Sequence, residues 1–85
     1  DIARSVEMMK LLRRAAEEFK RTIVIVLHDI NFAARYATRI VALKDGTVAY
    51  QGTPEEIMTD QVLTDVFDTP VHVITTEDGP LASYF

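Results

Sequence analysis

Two histidines and the carboxylate beside one of them are the side chains with most capacity for chemistry in this sequence. His28 and Asp29 lie in TIVIVLHDINFAARYA, residues 22–37, where an apolar run stops and a helical pattern starts. Ligands of open α/β sheets bind at that kind of junction, in the crevice outside the carboxyl ends of the strands. An imidazole there can serve a site, or it can be satisfied by a backbone partner. Asp29 is suited to capping the helix that follows, as is Asn31. His72 sits on an alternating stretch and reads as an ordinary, partly exposed residue. The two histidines have no zinc-ligand spacing, and the three glycines lie too far apart to form a phosphate-cradling loop. No nucleophile elbow is present.

The elements around these residues read as follows. Residues 2–20 form an amphipathic helix, with Ile2, Met9, Leu12, Ala16 and Phe19 on one side and Arg4, Glu7, Lys10, Arg14, Glu17 and Glu18 away from it. Glu7 with Lys10, and Glu17 with Arg21, are expected as charge pairs along it. Residues 22–27 are apolar without alternation, the pattern of a parallel strand buried on both faces. A helix with Ile30, Ala33, Ala34 and Ala37 on its inner stripe leads to a second strand, 39–44. The connection, residues 28–38, is near the minimum of about 10–12 residues for a helical crossover. Asp45-Gly46 signals a type I′ turn into an alternating antiparallel strand, 47–51.

Thr53-Pro54-Glu55-Glu56 is a helix start, with Thr53 as cap and Glu56 closing a capping box. A short helix over 60–67 is stopped by Pro70. Residues 71–76 and 81–85 flank the turn Glu77-Asp78-Gly79-Pro80 as a hairpin. The expected fold class is α/β, with a weak boundary near Gly52 that divides residues 1–52 from a small helical and hairpin tail, 53–85.

The 85 residues are enough for one small domain with a marginal core. A composition of 48% hydrophobic and 26% charged residues is that of a folded globular chain. A net charge of −4 argues against a nucleic-acid module, which needs a basic face. With no cysteine, disulfides and thiolate metal sites are excluded. No stretch approaches the roughly 18 apolar residues of a membrane-spanning helix, and the first segment is too charged for a signal peptide. Asp1 stands where an initiator Met would, so the chain is expected to be a piece of something longer.

The order of an Asp, an amphipathic helix, TIVIVLHD, a helix and RIVALKDGTVAYQGTPEEIM resembles the C-terminal part of the ATP-binding subunit of an ABC transporter. The resemblance is to the importers of iron–siderophore complexes, with the related haem and cobalamin importers, and it runs from Asp1 to about Met58. It implies a partial P-loop NTPase-like sheet, with strands 22–27 and 39–44 parallel. It implies that His28 is the switch histidine that contacts the γ-phosphate of ATP. Asp1 corresponds to the loop Asp that reaches across the subunit interface. The implied cofactors of the parent protein are ATP and Mg²⁺. Its implied partners are a second ATP-binding subunit and membrane permease subunits, which would hold it at the cytoplasmic face of the membrane.

Residues 1–85 depart from the family pattern in one decisive way. Phosphoryl transfer of this kind needs a Gly-rich loop ending in Lys-Ser/Thr, an Asp for Mg²⁺ and a neighbouring Glu. None of these lies within the sequence, and neither does the family's signature motif. The parent is therefore expected to be an ATPase, and this chain alone is expected to be inactive with no cofactor bound. Its unpartnered strands are expected to drive self-association, because exposed strand edges pair with other chains. Two other readings stay open: a stand-alone interaction module, and a segment of a soluble ABC ATPase of translation or DNA repair.

Overall fold

The computed structural model describes residues 1–84, so the Phe85 end of the expected last strand lies outside the described residues. The elements run α1 (Ile2–Phe19), α2 (Ile30–Tyr36), β1 (Ile40–Lys44), β2 (Thr47–Gly52), α3 (Pro54–Ile57), α4 (Asp60–Phe67), β3 (His72–Thr76) and β4 (Gly79–Ser83). The strands form two separate antiparallel pairs, β1 with β2 and β3 with β4.

Helix α1 starts where the Asp1 carboxylate accepts the Arg4 backbone N–H, and it stops at Lys20, which turns left-handed at φ 52°. Met9 is its buried residue, with Leu12 and Ala16 half-buried. Ile2 and Phe19 were expected on the same buried stripe but are 80% and 68% exposed. The 18-residue helix is ~27 Å long, whereas the seven-residue α2 is ~10 Å, so the ends of α1 overhang. Glu17 pairs with Arg13 at 3.5 Å instead of with Arg21, because the turn at Lys20 takes Arg21 off the helix.

Residues 22–27 form no strand, which corrects the expectation of a parallel pair with 39–44. Ile23 and Ile25 are 40% and 43% exposed, while Val24 and Val26 between them are 89% and 84% exposed. One side of the segment is thus turned towards the protein and the other towards solvent. Strand β1 pairs with β2 across the Asp45-Gly46 turn, and no described strand lies against its other edge. An apolar run becomes a strand only when a neighbour takes its backbone groups, and residues 22–27 have none among the described strands.

The β1–β2 turn has φ 52° at Asp45 and 78° at Gly46, positive at both positions as type I′ requires. A bulge lies between Ala42 and Leu43. At Gly52 a Cβ would sit 2.9 Å from Glu56 Oε1, so a side chain there would push aside the carboxylate that closes the capping box of α3. Thr59 caps α4 by accepting the Val62 N–H at 3.2 Å, and Asp68 ends it in the left-handed conformation. The helix is therefore already broken before Pro70.

The core is built from Ile40, Ile57, Met58, Leu63, Val71 and Ala82, with Ile57 and Met58 both from the end of α3 and the others from separate parts of the chain. Ala33, Ala34 and Ala37 of the α2 region pack on this cluster, and their small side chains let α2 lie close. Leu63 and Val71 are the most completely enclosed, at 1% and 2% exposure. No helix among the described residues is long and apolar enough to cross a membrane.

Candidate functional site

The site is assembled from the start of α2 outward. Asp29 Oδ1 accepts the N–H groups of Asn31 at 2.8 Å and Phe32 at 3.3 Å, so Asp29 is the cap and the extended segment bends into α2 just before it. That bend leaves His28 exposed, at the end of the apolar run. His28 lines a cleft of about 300 Å³ together with Ile30, Phe67, Thr69, Val71 and Tyr84. The cleft therefore gathers the start of α2, the end of α4 and the residue after β4.

With Asp29 serving as the cap, the side chain of Asn31 is left for another partner. Its Oδ1 accepts the Ala82 N–H at 2.7 Å and its Nδ2 donates to the Ala82 carbonyl at 3.3 Å. One planar amide thus satisfies both backbone groups of a residue that is 4% exposed. One turn further along α2, Arg35 Nη1 donates to the Asp78 carbonyl at 2.9 Å, and its ion pair with the Asp78 carboxylate spans 3.8 Å. Phe32 and Tyr36 stack edge-to-face on the same helix, with centroids 6.2 Å apart. Arg13 of α1 donates to the Arg35 carbonyl at 3.3 Å, placing positive charge at the carboxyl end of α2.

The other residues singled out in the sequence lie apart from this cleft. Asp1 caps α1, and its carboxylate is 3.9 Å from the Arg4 guanidinium. His72 is exposed on β3 with its Nδ1 3.4 Å from Asp60. Asp60 also accepts the Val73 N–H at 2.8 Å, and that bond above all holds its carboxyl below the ordinary range. Among the described residues no group of three or more His, Cys, Asp or Glu converges as a metal site.

Sequence reasoning missed two parts of this arrangement. One is the use of Asn31, which was recognisable only as a second possible cap; an Asn inside the first turn of a helix, just after a competent Asp cap, was the available signal. The other is Tyr84 as a wall of the cleft, for which nothing local in the sequence speaks.

Comparison with known proteins supplies the class. No family model matches the chain. The petrobactin import ATP-binding protein FatE of Bacillus anthracis is 56% identical over 84 residues, covering 99% of this chain and 34% of that protein. The petrobactin import ATP-binding protein YclP of Bacillus subtilis is 46% identical over 85 residues, covering 100% of this chain and 34% of that protein. The iron(3+)-hydroxamate import ATP-binding protein FhuC of Bacillus subtilis is 43% identical over 75 residues, covering 88% and 28%. Over nearly its full length the chain is similar to proteins named as import ATP-binding proteins. These relatives are named for the import of petrobactin or of iron(3+)-hydroxamate, and the chain spans about a third of their length.

Proposed function

We propose that this chain is the C-terminal segment of the ATP-hydrolysing subunit of an iron–siderophore importer, and that it carries that subunit's switch histidine, His28. The observation that carries this reading is the 56% identity to a petrobactin import ATP-binding protein along 99% of the chain. The exposed position of His28, directly before a capped helix, supports it: such a residue can face a ligand held by other parts of the subunit. In this reading residues 1–52 belong to the ATPase core and 53–85 form its helical and hairpin tail. Asp1 belongs to the interface with a second ATP-binding subunit. Permease subunits hold the assembly at the cytoplasmic face of the membrane.

ATP and Mg²⁺ are the cofactors of the whole subunit in this reading, and the residues of this chain do not fit them unaided. Gly46, Gly52 and Gly79 lie in separate places, and no carboxylate cluster among the described residues gathers for a divalent ion. In this reading the chain's own contribution is the imidazole of His28 and the elements that carry it. Its isolated form associates with further copies through residues 22–27, whose exposed Val24 and Val26 have no covering layer.

The test is His28→Ala in a full-length subunit containing this segment, assembled with its permease. Nucleotide binding should be kept, ATP turnover should fall by roughly 10²–10⁴, and uptake of chelated iron should be lost. Turnover unchanged within about twofold would reduce His28 to a structural residue.

A further inference from the structure

We infer that the β3–β4 hairpin is a positioning arm for His28, and that Asn31 is the residue through which it acts. The inference rests on the proposed role of His28 and adds a regulator to the same site. Three links close a ring. His28 is three residues before Asn31 along a stretch fixed by the Asp29 cap. Asn31 holds both backbone polar groups of Ala82. Tyr84, two residues beyond Ala82, returns to the cleft wall that it shares with His28.

The chemistry of the central link is specific. Ala82 pairs with Val73 across the hairpin, yet its N–H and C=O are both taken by Asn31, so they point away from β3 and out from the edge of the sheet. The Asn31 amide stands where a third strand would. A primary amide presents a donor and an acceptor in one plane, the pair that the C=O and N–H of one residue require. Ala82 is almost completely enclosed, so its backbone groups have no access to water as a substitute. Loss of the amide therefore leaves both Ala82 groups unpaired and loosens this edge of β4, two residues before Tyr84. The Arg35–Asp78 bond ties down the opposite end of β4, at the turn, through side chains that are 51% and 81% exposed. It holds the turn and touches neither Ala82 nor the cleft.

The test compares Asn31→Ala, Arg35→Ala and His28→Ala in the full-length subunit assembled with its permease. A displacement of about 1 Å at a catalytic group is worth up to roughly 10²-fold in rate. Asn31→Ala should lower kcat about tenfold, with KM for ATP within about twofold. Arg35→Ala should leave kcat near the parent value. In the 85-residue chain, NMR should show the His28 and Tyr84 ring resonances moving together in Asn31→Ala and staying in place in Arg35→Ala. If Asn31→Ala does not fold, Asn31→Asp serves instead. It keeps the acceptor and loses the donor, and it should lower kcat while the chain remains folded. Equal effects of the Asn31 and Arg35 variants, or unmoved His28 resonances, overturn the inference. If His28→Ala abolishes turnover while Asn31→Ala and Asn31→Asp retain it, only the positioning arm is lost. If His28→Ala retains full turnover, the proposed function and the arm fall together.

Discussion

Tyr50 donates a 2.7 Å hydrogen bond to one carboxylate oxygen of Asp65, whose other oxygen lies 3.4 Å from Lys44 Nζ. Lys44 also donates to the Asp65 carbonyl and, at 3.0 Å, to Asp68. These contacts fasten the β1–β2 hairpin to the end of α4, the helix whose last residue lines the His28 cleft. The hairpin and the helix are joined by charge and hydrogen bonding at their rim and by Ile40 and Leu63 in the core.

This network makes stability depend on pH at both ends of the scale. Asp65 is held below its ordinary 3.8, first by the Tyr50 hydroxyl and then by Lys44. Asp60 is lowered chiefly by the Val73 N–H, and Glu56 chiefly by the Thr53 N–H. A carboxyl with a depressed folded pKa contributes stability above its unfolded value and loses it as pH falls through the folded one. Lys44 is raised above 10.5, mainly by its hydrogen bond to Asp68, and Tyr50 above 10.0, mainly by its bond to Asp65. Their contributions are full below those unfolded values and are lost as pH rises through the folded ones. Thermal melts should therefore show a plateau between about pH 5 and pH 9, with losses on either side. Asp65→Asn should soften both shoulders, each modestly, because the groups are solvent-exposed and screened. A melting profile identical in shape to that of the parent chain would count against the network.

Leu63→Ala should be severe. The side chain is 1% exposed at the centre of the core, and truncation of such a leucine costs about 2–5 kcal/mol. A small domain has little reserve, so the variant should be partly unfolded in water. Ile74→Ala, at a position 50% exposed, is the comparison and should stay within about 1 kcal/mol. Urea titration followed by circular dichroism measures both, and equal midpoints would contradict this assignment of the core.

Thr53→Ala should cost about 1 kcal/mol through loss of the α3 cap. The Thr53 hydroxyl accepts the Glu56 N–H at 3.3 Å while Glu56 returns a carboxylate to the Thr53 N–H at 2.9 Å. Gly52→Ala should destabilise in the same direction, because its methyl group would displace that carboxylate. The pair of variants made together should lose less than the sum of the two, since both act on one box. Full additivity in chemical denaturation would show that the two positions are independent.

The purified chain should associate. Val24 and Val26 are the most exposed apolar residues of a segment with no strand partner. Multi-angle light scattering at micromolar concentration should report dimers or larger species. Val24→Lys with Val26→Lys should return a monomer, since charge on an open edge blocks pairing. A stable monomer of the parent chain sinks the prediction.

The same chain should show no saturable micromolar binding of Mg-ATP by calorimetry, because no phosphate-cradling loop lies within residues 1–85. Saturation in that range would require a nucleotide site unlike that of the proposed family.

Local elements were legible where their chemistry is local. The Asp45-Gly46 turn, the Thr53–Glu56 box and the helices at 2–19 and 60–67 each follow from residues within one or two turns of one another. The placement of His28 beside a helix start was equally readable, because the Asp29 cap lies next to it. Pairing was not legible. The apolar run at 22–27 becomes a strand only when a neighbour takes its backbone groups, and no described strand lies beside it. Nor did residue type reveal that Asn31 would reach Ala82, 51 positions away, or that Tyr84 would line the same cleft as His28. Hydrogen-bond type and helix period are properties of short windows, whereas a partner across the chain is selected by the packing of the whole core.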